Sequence, residues 1–144
     1  MQTKLLNPDP PVTWALALET GDEAFGCLSA FVREKGIEAA SITAIGAFER
    51  ALLGYFDWQK KDYRKIRVDS QVEVLSLIGD VALAESGPSL HLHAVLGKQD
   101  GSVVGGHLLE AQVRPTLEVI LVRSPRYLRK RKDPETGLAL IATD

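Results

Sequence analysis

The three histidines of this 144-residue chain, His91, His93 and His107, fall within a window of seventeen residues. His91-Leu92-His93 has an extended pattern. Alternate side chains of a strand share one face, so both imidazoles project the same way. Neutral imidazole is a common ligand of Zn²⁺ and other first-row divalent ions. The spacing therefore predicts that two rings can converge on one ion.

A hairpin brings in the third histidine. Gln99-Asp100-Gly101 suits a three-residue connection whose final glycine is left-handed, and this turn pairs Lys98 with Ser102. Counting back places His93 opposite His107. The opposite face then carries the core candidates Leu92, Leu96, Val104 and Leu108. A slip of one residue would break both sets. We predict that the three histidines bind Zn²⁺ or another first-row divalent ion. A fourth position on the ion would be open to water, carboxylate or substrate.

The alternative is that His91 and His93 are half-exposed strand residues with separate partners, and that His107 only follows Gly105-Gly106. Three imidazoles in matched register favour one common partner instead. Glu110 and Glu118 are the nearest acidic candidates for hydrogen bonding to the ligands or for a base. Three histidines do not identify a reaction. The chain has no G-x-S-x-G, P-loop or G-x-G-x-x-G motif, so the sequence leaves catalysis open.

The elements that must position these histidines form one domain, since 144 residues with 45% hydrophobic and 25% charged residues suit a single packed core. Helical spacing predicts a helix over Glu23–Lys35, with Thr20-Gly21-Asp22 as turn and N-cap and Gly36 after its end. The extended segments are Val12–Glu19, Ala40–Phe48, Ala51–Asp57, Tyr63–Val68, Glu73–Ala84, Leu90–Lys98, Ser102–Val113 and Leu117–Val122. We expect an α+β fold, with one main helix on a mostly antiparallel sheet of about seven strands.

Composition limits the partners and the compartment. A net charge of -2 supplies no overall positive field for nucleic acid. The single cysteine, Cys27, excludes an intrachain disulfide and suits packing in the predicted helix. No run of about 18 apolar residues predicts a membrane span, and the proline-rich N-terminal extension, residues 1–11, shows no targeting segment. We expect a cytoplasmic protein with no membrane partner.

A basic segment is the basis of the alternative, DNA-binding interpretation. Six positive charges without an acidic residue lie between positions 123 and 132: Arg123, Arg126, Arg129, Lys130, Arg131 and Lys132. The rest of the chain keeps eleven basic and nineteen acidic residues, which would repel phosphates. A solvated face or a strip of intersubunit salt bridges is the commoner explanation of such a run. DNA is therefore not the expected partner.

The order of several segments resembles the PPC (plant and prokaryote conserved) domain family over residues 12–144, in its prokaryotic stand-alone type. The segments are Leu18–Asp22, Ala44–Ala47, Leu53–Asp57, Val72–Gly79, His91–Gly97 and Asp100–Leu108. The resemblance implies an α+β fold, a homotrimer and a metal at the three histidine positions, with an unknown small ligand or substrate. Plant members carry AT-hooks whose Arg-Gly-Arg core enters the minor groove. The family is also called the PD1-like DNA-binding family, but this chain has no Arg-Gly-Arg, so the resemblance does not imply DNA binding here.

Overall fold

The structure is a computed structural model that describes residues 1–7, 11–124 and 129–142. Within these residues there are nine strands and one helix, and they form a single domain dominated by strands. The elements in chain order are β1 (Gln2–Asn7), β2 (Thr13–Glu19), α1 (Ala24–Glu34), β3 (Ala39–Asp57), β4 (Asp62–Val68), β5 (Val72–Ala84), β6 (Gly87–Gly97), β7 (Val103–Arg123), β8 (Arg129–Lys132) and β9 (Ala139–Ala142).

The sheet bends round on itself because β7 is long enough to pair with three strands. It pairs antiparallel with β2 and β3, and its first residues pair with β6. Strand β6 also pairs with β5, and β5 pairs with β3, which completes the circuit. β4 extends the second half of β3, and β1 lies at the outer edge of β2. The histidine-bearing strands thus belong to the closed part of the sheet.

The sheet has nine strands among the described residues, more than the seven or so predicted, and it is mixed, with one parallel pairing in an otherwise antiparallel sheet. The parallel pairing joins β5 to β8 at Leu83 and Arg129. Strands β1, β8 and β9 were not predicted, while β3 and β7 each join two predicted segments. Pro115 lies inside β7, where the pairing with β3 shifts register between Gly46 and Phe48. A register shift accommodates a residue that has no N–H to donate, so the proline interrupts the ladder without ending the strand.

The predicted helix is confirmed, but its N-cap is not the predicted one. Glu23 caps α1 by accepting hydrogen bonds from the backbone N–H groups of Phe25 and Gly26 at 3.2 and 2.6 Å. The same carboxylate accepts the N–H of Ala111 in β7 at 3.0 Å, which ties the helix start to the sheet. Asp22 instead accepts the backbone N–H of Glu19. Gly36 follows the helix with φ of 58°, as expected of a left-handed C-terminal residue.

The core lies between α1 and the inner face of the sheet. Its largest fully buried side chains are Phe48, Leu16, Leu18, Leu28, Ile37, Ile42, Leu53, Leu77, Leu92, Leu96, Leu108 and Leu117. Burial of each such side chain contributes about 1.5–3 kcal/mol relative to exposure in water. Leu92, Leu96 and Leu108 were predicted here from the hairpin register, and Val104 packs against the same cluster. No helix of the described residues is long and apolar enough to cross a membrane.

The predicted β6–β7 hairpin register is confirmed. His93 lies opposite His107, Ala94 opposite Gly106 and Val95 opposite Gly105. The N–H of Lys98 donates to the carbonyl of Ser102 at 2.8 Å, and Gly101 has φ of 81°. The turn therefore fixes which residues of β7 face the core and which face outward.

Strand β5 approaches β6 closely at Gly79. A Cβ at this position would lie against the carbonyl oxygen of His91 and 2.8 Å from a methyl of Leu92. We expect Gly79→Ala to lower the free energy of unfolding by about 1–3 kcal/mol, because the backbone of β6 must move. Gly105→Ala is the matched control in β7, because its Cβ would overlap less with its neighbours. The nearest atom, the carbonyl oxygen of Ala94, would lie 3.1 Å away. Urea unfolding measures both, and equal losses would contradict the prediction.

Candidate metal centre

The three histidines meet on the outer face of β6 and β7. One ring nitrogen from each of His91, His93 and His107 lies within 4.8 Å of the others. The Nε2 atoms of His91 and His93 are 3.0 Å apart, and the ring centroids of His93 and His107 are 5.4 Å apart. The structure thus brings together the set that the sequence predicted.

Neighbouring glycines let the strands approach one another around these rings. At Gly54 of β3, a Cβ would lie 2.7 Å from the ring of Tyr63, and at Gly106 it would lie 2.8 Å from the carbonyl oxygen of Gly54. The space is filled by Tyr63, whose ring stacks on His107 with centroids 4.8 Å apart. The position of His107 is thereby held from both β3 and β4.

The surroundings of His91 and His107 lower the pKa of both imidazoles. Burial, together with the charges of His91, His93 and Lys130, lowers the pKa of His107 to about 4. Burial also lowers the pKa of His91, with Lys130 and His93 adding to the effect. A neutral imidazole carries the lone pair that a metal needs. The lowered pKa values of His91 and His107 therefore leave their lone pairs available to a metal at neutral pH.

Two observations test the fit of a metal to this site. Nδ1 of His107 is buried and has no hydrogen-bond partner among the described residues. The two Nε2 atoms at 3.0 Å face each other, and a tetrahedral ion with Zn–N bonds of about 2.0 Å would separate its ligands by about 3.3 Å. The donor type, the spacing of the His91–His93 pair and the unpartnered nitrogen of His107 fit a divalent metal.

An ion pair that sequence reasoning missed lies beside His91. The Nζ of Lys130 in β8 is 2.7 Å from Oδ1 of Asp80 in β5, and the lysine side chain is only 2% exposed. Oδ2 of Asp80 is 3.8 Å from Nδ1 of His91. A carboxylate facing Nδ1 of a ligand histidine favours the tautomer that leaves Nε2 free for the metal. Asp80 is therefore the acidic neighbour of the site. No sequence motif indicated Asp80, because it comes next to His91 only when β5 pairs with β6.

The two glutamates proposed from the sequence lie elsewhere. Glu110 lines a separate depression with Arg50, Lys65 and Arg67. Glu118 is eleven residues beyond His107 along β7, opposite Ala17 and Ile45. The structure does not bring either glutamate to the histidines.

A cavity of about 630 Å³ opens beside the three histidines. Strands β3, β4, β6 and β7 form part of its wall, and the C-terminal hairpin of β8 and β9 forms the rest. Besides the histidines, its described lining consists of Gly54, Tyr55, Phe56, Tyr63, Ser89, Leu90, Gly106, Lys130, Leu138, Ala139 and Leu140. The volume is within the usual range for small-molecule sites.

The basic segment is only partly a solvent-facing surface. Lys130 is buried in its ion pair with Asp80, whereas Arg129, Arg131 and Lys132 are exposed in β8. Arg126 lies outside the described residues. One of the positive charges proposed for DNA contacts thus faces the histidine cavity instead of solvent.

The sequence profile of the Plants and Prokaryotes Conserved (PCC) domain matches residues 9–125. Among solved structures, a metal-containing protein from Archaeoglobus fulgidus is 37% identical, with a TM-score of 0.83; the alignment covers 98% of this chain and 96% of that chain. A plant- and prokaryote-conserved (PPC) protein from Pyrococcus horikoshii is 32% identical over 98% of this chain and 94% of its own, with a TM-score of 0.85.

A candidate DNA-binding protein from Bacteroides thetaiotaomicron is 27% identical over 94% of each chain, with a TM-score of 0.88. No curated protein matches the chain. The similarity therefore extends over nearly the whole chain, while the names of the similar proteins point to different functions.

Proposed function

The chain belongs to the Plants and Prokaryotes Conserved (PCC) domain family, and we propose that it binds one divalent metal ion, zinc, through His91, His93 and His107. The observation that carries this proposal is the convergence of the three ring nitrogens within 4.8 Å. The relative from Archaeoglobus fulgidus named as a metal-containing protein supports it. The fourth position of the ion is left for a small ligand or substrate.

Each residue of the site has a distinct part in this proposal. The three histidines donate neutral nitrogens, and Asp80 orients His91 from the side away from the ion. Lys130 offsets the charge of Asp80, and Tyr63 holds His107 by stacking. A zinc ion bound by three nitrogens supplies Lewis acidity and lowers the pKa of a bound water. The surrounding cavity admits a ligand to that position.

We predict about one zinc ion per chain in protein purified without chelators, and loss of most of it in His93→Ala. Two imidazoles leave too few protein donors for a stable site. Elemental analysis measures the metal, and circular dichroism checks that the variant is folded. Trp58→Ala, an exposed residue at the β3–β4 turn, is the control and should keep its metal. Wild-type protein that is free of metal and takes up no added zinc would contradict the proposal.

The outer face of the sheet supports the proposed homotrimer. Ile78 of β5 is 56% exposed and lies between Thr43 and His93 in the register, and Ile120 of β7, also opposite Thr43, is 40% exposed. Val95 of β6 is 43% exposed. Exposed apolar side chains grouped on one face favour association with another protein surface. We take that surface to be further copies of this chain.

We expect Ile78→Asp to shift the protein from trimer toward monomer, because a carboxylate at an apolar contact must be desolvated. Light scattering at micromolar concentration measures the mass. Trp58→Asp is the matched control, since Trp58 is 57% exposed but lies at the β3–β4 turn. A monomeric wild-type protein would refute the trimer, and a trimeric Ile78→Asp would exclude this face.

DNA binding is the second candidate function, and the name of the Bacteroides thetaiotaomicron relative favours it. Against it, Lys130 is buried with Asp80, and the chain outside residues 123–132 has eleven basic and nineteen acidic residues.

We also propose a cytoplasmic location, since Cys27 has no second cysteine to pair with.

We predict that the protein binds duplex DNA no tighter than roughly 10⁻⁴ to 10⁻⁶ M at physiological salt, the non-specific range. Fluorescence anisotropy with labelled duplexes at several salt concentrations measures it. Joint neutralisation of Arg129, Arg131 and Lys132, the exposed basic residues of β8, should change little. Lys130 is left unchanged because it pairs with Asp80. Submicromolar, sequence-selective binding that disappears with those three charges would put DNA binding first.

A further inference from the structure

We propose that the cavity beside the histidines selects small monocarboxylic acids with an apolar body, the carboxylate facing the histidines and the body lying against the C-terminal hairpin. This inference rests on the proposed metal site and specifies the class of its ligand. It follows from the charges, the lining and the size of the cavity.

The charge balance of the site calls for an anion. Three neutral imidazoles leave both positive charges of a divalent ion uncompensated. Lys130 is the charged side chain of the described lining other than the histidines, and its partner Asp80 already offsets it at 2.7 Å. The described lining contains no aspartate or glutamate, so no residue of that lining supplies the missing negative charge. A carboxylate on the ligand would supply it.

The lining favours an apolar body on that anion. Phe56, Leu90, Leu138 and Leu140 all contribute to the wall. Ser89, Tyr55 and Tyr63 are the hydroxyl-bearing side chains of the described lining, which are few partners for a ligand with many hydroxyl groups. A sugar acid would lose water from hydroxyls that the cavity cannot pair. An aromatic or branched aliphatic acid avoids that cost and buries apolar surface.

The C-terminal hairpin is the part of the wall that would contact the apolar body of the ligand. Leu138, Ala139 and Leu140 line the cavity, and they lie beyond residues 9–125, which the family profile matches. The loop is held by its own hydrogen bonds, with Asp133 accepting the N–H and hydroxyl of Thr136 at 2.7 Å. The buried pair of Lys130 with Asp80 fixes the hairpin to β5. The hairpin is therefore an ordered wall.

The test compares three probes on zinc-loaded, full-length protein: phenylacetate, acetate and 2-phenylethanol. Calorimetric titration measures each affinity, and elemental analysis of the same sample measures the zinc. We expect phenylacetate to bind at least about tenfold tighter than acetate, because its ring buries apolar surface, and about tenfold tighter than 2-phenylethanol, because the alcohol has no charge. Chelated protein should lose the preference for phenylacetate over the alcohol.

Two neighbouring residues of β9 provide matched variants. Leu140 lines the cavity and is 43% exposed, whereas Ile141 is 46% exposed and is not part of the lining. Leu140→Ser should weaken phenylacetate binding about threefold to tenfold while leaving acetate unchanged. Ile141→Ser should change neither affinity. A larger effect of Ile141→Ser than of Leu140→Ser would overturn the placement of the apolar body.

The remaining outcomes separate this inference from the proposed function. Zinc-loaded protein that binds 2-phenylethanol as tightly as phenylacetate overturns the need for an anion. Equal affinities for acetate and phenylacetate overturn the need for an apolar body. In both cases the metal site itself stands. Protein that holds no zinc overturns the proposed function, and the ligand class falls with it.

Discussion

The register of the β6–β7 hairpin is the constraint on which the site and much of the core depend. Gly101 closes a three-residue turn, and the pairing that follows sets His93 opposite His107. The same register points Leu92 and Leu108 into the core. Because side chains alternate along a strand, a shift of one residue would expose the leucines and bury the imidazoles. The apolar core therefore pins the geometry of the polar site on its outer face.

The buried pair of Lys130 and Asp80 connects this site to the end of the described chain. Removing a lysine and a carboxylate from water is costly, and their attraction offsets that cost only in good geometry. The pair joins β8 to β5 and leaves the second oxygen of Asp80 facing His91. The pair matters here for where it holds β8 and Asp80, and less for its contribution to the free energy of unfolding. It joins the histidine site and the hairpin wall of the cavity into one unit.

The family relationship identifies the fold far better than it identifies the activity. Relatives with TM-scores of 0.83 and 0.88 are named as a metal-containing protein and as a candidate DNA-binding protein. One fold can carry different sites, so the function of a chain depends on the side chains of its site. Here the side chains are three converging imidazoles beside a largely apolar cavity, while the basic segment has one of its lysines buried. These features favour metal and small-molecule binding.

Local sequence patterns determined helix α1, the hairpin turn and the shared face of the three histidines, because helical period, strand alternation and turn chemistry act over a few residues. Only the tertiary structure decided three other features. They are the continuity of β7 through Pro115, the hydrogen bond from the N–H of Ala111 to Glu23, and the Asp80–Lys130 pair. The Glu23–Ala111 contact and the Asp80–Lys130 pair join segments far apart in the chain, and the continuity of β7 depends on its pairing with β3. A local pattern does not say which strands will be neighbours. For the same reason Glu110 and Glu118, near His107 in sequence, lie away from the site, and Asp80 takes the place expected of them.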